Sequence, residues 1–349
     1  MYKREILPPK ASPIENGNPV FGTWNRAFDH VDLLEIRKPY RWPLPRWLRN
    51  HRIKEWEWFS IQDDNFMLEA FLCNVKLYQM AQVLLYDKEN EKKFLFRKVM
   101  PGKGWHLPHS LANSSVDSHS TRFFFRIHSW LDADTVKLDL NIEATRRRPS
   151  LTVHLAYNIS SQDAAPMAVS LGFTERRTMY AYKVLTPVSG DMVFQGRHIS
   201  LNKDKCSGFF CDYKGFYPYR MQMTVCNAAG FDAENRRFGF HIAENQTRET
   251  NKNNENALWL NGRLTPLPPV LITMPKGPDE EWIIQDVEGM VDLKFIPSVL
   301  NRSGMGLVFT TADFIAPLGH YNGMLVTADG EKISVRNLFG MGEKLNLRV

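Results

Sequence analysis

The dipeptide Asn261-Gly262, set between Ala257-Leu258-Trp259-Leu260 and Arg263-Leu264, constrains the fold more than any other part of this sequence. A type I′ turn needs positive φ at both central positions, and Asn-Gly adopts it at least cost. Flanked by an apolar run, the pair predicts a hairpin. Turn signals recur at Ser189-Gly190, Gln195-Gly196, Glu288-Gly289 and Asp329-Gly330, each beside apolar alternation. Between Val136 and Glu143 the alternation is unbroken: Val136, Leu138, Leu140 and Ile142 face one way, and Lys137, Asp139, Asn141 and Glu143 the other. That period predicts a half-buried antiparallel strand. "LTVHLAY" from Leu151 repeats it, and "RFFFRIHSW" opposes Phe124, Arg126 and His128 to Phe123, Phe125, Ile127 and Ser129. The best helical stretch is short, around Val31 to Ile36. Many short strands at hairpin spacing predict an all-β fold of closed antiparallel sheets, because closure removes exposed edges.

Strand-like runs fall into two blocks on either side of "LTPVSGDM". The 349 residues thus divide into an extended segment over the barrels (1–54), a first β-barrel (55–189) and a second (190–349). Aromatic residues make up 12% of the chain, with nine Trp and twenty-two Phe, which suits an interior or a pocket lined with rings.

Several classes of function are excluded. Net charge is only +6, and the four cysteines (Cys73, Cys206, Cys211, Cys226) have neither zinc spacing nor a dense disulfide pattern. "MYKREILPPK" has no signal-peptide apolar core, and no run of 18 apolar residues exists. A cytoplasmic protein without a transmembrane segment is expected. The basic stretch "RKPYRWPLPRWLRNHRIKEW" holds Arg37, Lys38, Arg41, Arg46, Arg49, Arg52 and Lys54 among aromatics. Three prolines break it and no nucleic-acid motif follows. It reads as a segment crossing a barrel mouth, with peripheral membrane contact through residues 37–54 left open and no nucleic-acid partner. "TRRRPS", with Arg146, Arg147 and Arg148, reads as a loop. "GMGLVF" lacks the third glycine of a dinucleotide fingerprint, and neither a Walker sequence nor a Gly-x-Ser-x-Gly elbow is present. His106 and His109, with Asp117 and His119, form the one histidine cluster, but the intervening Pro108 and loose spacing match no ligand template. No metal and no cofactor are expected.

The motifs "KEWEWFSI", "KVLTPVSGDM", "DYKGFYPYR", "ENALWLNGRLTPLP", "VDLKFIP" and "NLFGMGEK" occur in the order expected of the domain-of-unknown-function family 2804. The resemblance runs from Gly22 to Lys344. That family is distantly similar to the lipocalin-like group of AttH proteins, carotenoid hydratases and tocopherol cyclases. The resemblance therefore implies two lipocalin-like barrels in tandem. In those enzymes the second barrel opens with an Asp-His pair followed by a glycine. Here "CDYKGFYPY" keeps Asp212 and Gly215 but has Tyr213 in the histidine position, so it offers no imidazole base there.

Two acids stand beside aromatic strand material: Asp212 near Phe209, Phe210 and Tyr213, and Glu255 just before Leu258 and Trp259. A carboxyl in a dry pocket has its pKa raised and can hold a proton at neutral pH. If the two converge, with Tyr217 as a donor, one acts as acid and the other as base on a ligand in the second barrel. A turn anchor is the structural alternative for each. Trp56 and Trp58 lie two apart on one strand face, with Glu57 opposite. With Tyr219 and Trp259 they are the expected lining of a pocket for a small hydrophobic molecule of isoprenoid, lipid or polyketide type. Two functions remain open: cofactor-independent hydration, dehydration, isomerisation or cyclisation, and non-catalytic carriage of a lipid or terpenoid.

Overall fold

The structure is a computed structural model that describes residues 1–348 apart from 103, 104, 119, 121, 147, 161, 308 and 309. Strand takes up 57% of the chain and helix 4%, against a usual strand share of about 20–25%. Two antiparallel sheets curl into half-barrels, as the hairpin spacing predicts.

The first sheet runs in the order Lys92–Pro101, Tyr78–Asp87, Phe66–Asn74, Lys54–Gln62, Ser207–Gly215, Thr178–Phe194, Leu151–Asn158, Thr135–Ile142, Phe123–Trp130 and Ser114–Ser118. Its alternating strands behave as their sequence dictates. Val136, Leu138, Leu140 and Ile142 are buried, as are Phe123, Phe125 and Ile127. Each such side chain contributes roughly 1.5–3 kcal/mol on leaving water. The second sheet is centred on Arg220–Phe231 and Lys332–Arg348, which pair over the whole stretch Arg220–Ala228. Arg237–Glu244, Ala257–Leu260 and Arg263–Pro266 follow on one side, and Leu318–Val326 and Val291–Val299 on the other.

Asn261 and Gly262 both have positive φ, 48° and 74°, and join Leu260 to Arg263 as a two-residue turn. Gln195-Gly196 does the same between Phe194 and Arg197. Ser189-Gly190, in contrast, is not a turn. It lies inside the seventeen-residue strand Thr178–Phe194. Gly190 has φ 143°, and a Cβ there would sit 1.9 Å from the His154 carbonyl oxygen. Glycine is needed for that close backbone approach, not for reversal.

The division placed between 189 and 190 consequently falls within a strand. Ser207–Gly215 pairs with Thr178–Phe194 on one side and Lys54–Gln62 on the other, so it belongs to the first sheet. The chain passes to the second sheet through residues 216–219. The N-terminal segment touches both: Gly22–Trp24 pairs with Met167–Gly172, and Arg4 donates to the Asn256 carbonyl at 2.9 Å. Within that segment Leu33–Glu35 forms a single 3-10 turn, and Arg46–Arg52 forms a seven-residue helix directly after Pro45. Proline at a helix start is tolerated, since the first amide has no intrahelical acceptor.

Candidate functional site

Three strands of the first sheet, Lys54–Gln62, Phe66–Asn74 and Tyr78–Asp87, are apolar on both faces. A strand with two buried faces must be covered on both. Phe59, Ile61, Leu68, Leu72 and Val83 fill the interior of the first half-barrel. The intervening residues Trp56, Trp58, Glu69, Phe71 and Met80 point the other way, toward Met223, Val225, Glu343 and Leu345 of the second sheet. Between these two layers lies a cleft of about 130 Å³.

Two carboxyls line this largely aromatic and aliphatic space, which also holds Lys54, Arg97 and a few neutral polar side chains. Glu69 is 7% exposed, and its Oε1 has no hydrogen-bond partner among the described residues. Burial, reinforced by the neighbouring Glu343, pushes its pKa up to about 8. Glu343 stands opposite Val225 in the register, and burial pushes it up to about 7. Desolvation disfavours the charged form of both. Tyr213 and His241 line the same cleft. The Tyr213 hydroxyl lies 3.5 Å from His241 Nε2. Burial, aided by the Lys183 charge, pushes the imidazole down to about 4, which keeps it neutral. Its Nδ1 has no partner among the described residues.

Of the residues expected from the sequence, Trp56 and Trp58 line the cleft. Trp56 stacks on Tyr213 and on Tyr217, at centroid distances of 5.1 and 4.9 Å. Tyr217 itself is buried behind that stack, and its hydroxyl is unpartnered among the described residues. Tyr219 is 48% exposed and lies outside the cleft lining. Trp259 is core: its indole N–H donates to the Ala165 carbonyl at 2.7 Å, and its ring packs edge-on against Phe209.

Asp212 and Glu255 do not converge. Asp212 is on the first sheet, directly across from Glu57 and Tyr182, and faces the interior of the first half-barrel. Lys214 Nζ lies 3.2 Å from its Oδ2. Burial pushes Asp212 up against the pull of that ammonium, and pushes Glu57 well above the carboxylate range with Asp212 adding to the effect. Glu255 is on the opposite side of the sheet, where it meets Lys183 at 2.5 Å, Asn245 at 2.6 Å and His241 at 3.7 Å. Burial favours its neutral form, but Lys183 and His241 outweigh burial and hold it well below the usual carboxylate range. It is therefore a permanently ionised bridge from the second sheet to the first. The period of two explains the separation: Lys183 is across from Cys211, one residue from Asp212, and successive residues leave opposite faces.

Sequence reasoning missed Glu69 and Glu343. The signal for Glu69 was a lone acid inside the apolar "FMLEAFLCN", and Glu343 stood within the quoted motif "NLFGMGEK". As for metal ligands, His106 is exposed, Asp117 is paired with Arg126 at 2.7 Å, and His119 lies outside the described residues, as does Arg147 of the arginine run. His109 instead approaches His30 and Asp32. Among the described residues no helix is long and apolar enough to cross a membrane.

Residues 5–348 match the family described as Domain of unknown function (DUF2804). Among curated proteins no sequence matches the chain. The fold is similar to that of CghA, crystallised with Sch210972, at 9% identity and a TM-score of 0.50, with 85% of this chain and 88% of that chain covered. Kievitone hydratase from Nectria haematococca aligns at 11% identity and a TM-score of 0.44, over 84% of this chain and 88% of that one.

Proposed function

We propose that this chain, which belongs to the DUF2804 family, binds a small hydrophobic molecule in the cleft between its two sheets and carries out cofactor-independent acid–base chemistry there. The observation that carries the reading is the pair Glu69 and Glu343, with pKa values pushed up to about 8 and 7 in an aromatic-lined space. A general acid works best with a pKa near the operating pH, because it is then protonated yet still a strong enough donor. Glu69 gives its proton to an alkene carbon, or to an epoxide or carbonyl oxygen. Glu343, as the more acidic of the two, takes a proton from the adjacent carbon or from a water that adds there. Proton given and proton taken balance, so the outcome is isomerisation, cyclisation or hydration with no redox partner. Trp56 and Trp58 supply apolar aromatic surface for the substrate along the cleft. CghA, of similar fold, is described with Sch210972, which supports a ligand site in this architecture.

The basic segment supports a route for such a ligand. Trp42 and Trp47 are 74% and 66% exposed, and Arg37, Lys38, Arg41 and Arg46 around them are exposed as well. No Asp or Glu occurs between Ile36 and Lys54. Tryptophan beside a polybasic run suits an anionic membrane surface, the source of a lipid-soluble substrate.

Mass spectrometry of molecules extracted from the purified protein identifies the ligand, and Trp fluorescence should then report saturable binding. Conversion by the wild type and its loss in Glu69→Gln support the enzyme. Binding with no conversion by the wild type leaves a carrier.

A further inference from the structure

Away from the cleft, three side chains of metal-ligating type from distant parts of the chain meet beside the first half-barrel. His30 and Asp32 belong to the N-terminal segment, and His109 to the loop before Ser114–Ser118. Their ligand-capable atoms all lie within 4.8 Å of one another. The two backbone segments are clamped together at this point. The Val31 N–H donates to the His109 carbonyl at 2.7 Å, and His109 Nδ1 lies 3.0 Å from the Val31 carbonyl oxygen. A carbonyl oxygen only accepts, so Nδ1 carries the proton and Nε2 keeps its lone pair. An imidazole oriented by such a bond is the usual supporting arrangement around a metal.

The His30 and His109 rings stack, with centroids 5.3 Å apart and 25° between their planes. Two imidazoles on one tetrahedral zinc keep about that centroid separation, but each ring plane must contain the ion, so binding requires one ring to turn. The Leu34 N–H donates to Asp32 Oδ1 at 2.9 Å, which fixes the carboxylate while leaving it lone pairs. Glu35 Oε1 lies 3.7 Å from His30 Nε2 and can complete the donor set. Arg46 lies 3.4 Å from Asp32 Oδ2, but its side chain is 65% exposed and can swing away. A tetrahedral zinc needs ligand atoms about 3.3 Å apart. Turning the half-exposed His30 ring, 49% open to solvent, closes the difference without disturbing the His109–Val31 bond.

We propose that His30, Asp32 and His109, with Glu35, bind a divalent transition metal, and that zinc(II) fits this imidazole and carboxylate set. The ion ties the segment around residue 30 to the loop around residue 109. It adds stability by mass action, independently of chemistry in the cleft.

The test uses the full-length protein after treatment with a chelator. Calorimetric titration with zinc(II) should show one saturable equivalent and a raised melting temperature. Cobalt(II) should give the visible absorption of a tetrahedral site without thiolate ligands. His30→Ala and His109→Ala should each weaken zinc binding by at least about tenfold. If His109→Ala unfolds the protein, His30→Gln, which leaves the Val31–His109 hydrogen bonds in place, decides alone. No saturable binding at micromolar zinc overturns the site. So does affinity that is unchanged in a folded His30 or His109 variant.

Discussion

Glu255 and Glu69 are glutamates in the same layer between the two sheets, both nearly sealed from solvent, and they differ in almost every other respect. Glu255 touches Lys183, Asn245 and His241, so its charge is paired and its hydrogen-bonding capacity is used. Glu69 borders open space, with one oxygen unpartnered and another carboxyl as its electrostatic neighbour. Burial acts alike on both, and the neighbours decide the sign of the shift. A buried acid with a cation in reach serves cohesion. One facing a cleft beside a second acid keeps a proton available. The motif before Trp259 that drew attention in the sequence marks the first kind.

The largest effect should separate the two in catalysis. Glu69→Gln and Glu343→Gln should each lower turnover by about a hundredfold or more, as loss of a general acid or base does. Ligand affinity, measured by Trp fluorescence, should stay within a few-fold. If Glu255→Gln matches that loss of turnover while remaining as stable as the wild type, the assignment of roles is reversed.

Stability should separate them in the other direction. Glu255→Gln leaves the fully buried Lys183 ammonium without its counter-charge, at a cost of roughly 3–5 kcal/mol in chemical denaturation. Pairing Glu255→Leu with Lys183→Met should recover most of that loss, because an apolar pair carries no desolvation penalty. A double variant no more stable than Glu255→Gln would show that geometry rather than charge is at stake.

The pH dependence sharpens the contrast. Glu69 has its pKa raised from 4.5 to about 8, so the folded state retains a proton that the unfolded state has lost. Its contribution to stability is complete below pH 4.5 and declines as pH rises through about 8. The melting temperature of wild type relative to Glu69→Gln should therefore fall across that window. A flat difference would mean that Glu69 is solvated.

The smallest effect concerns neither glutamate. Replacing Trp42 and Trp47 by Ala should reduce co-sedimentation with phosphatidylserine-containing vesicles, and reversing Arg41 and Arg46 should reduce it by about 1 kcal/mol per charge. Conversion of a ligand supplied in solution should not change. Equal sedimentation of wild type and variants would remove the membrane route.

Local physics was legible in the sequence. The alternation from Val136 to Glu143 determined that strand and its buried face, because a period of two with one apolar phase admits a single arrangement. Asn261-Gly262 determined its own hairpin, because positive φ at consecutive positions needs no tertiary help. Trp56 and Trp58 were assigned to one face by spacing alone. Only the tertiary structure decided what each face meets. "FMLEAFLCN" is apolar in both phases, so nothing in the sequence says which phase fills the half-barrel and which lines the cleft. Alternation puts Asp212 and Cys211 on opposite faces, but that Lys183 stands across from Cys211 and meets Glu255, seventy-two residues away, is set by strand register and sheet packing. Which glutamate keeps its proton follows from that packing, since a pKa depends on neighbours in space and not along the chain.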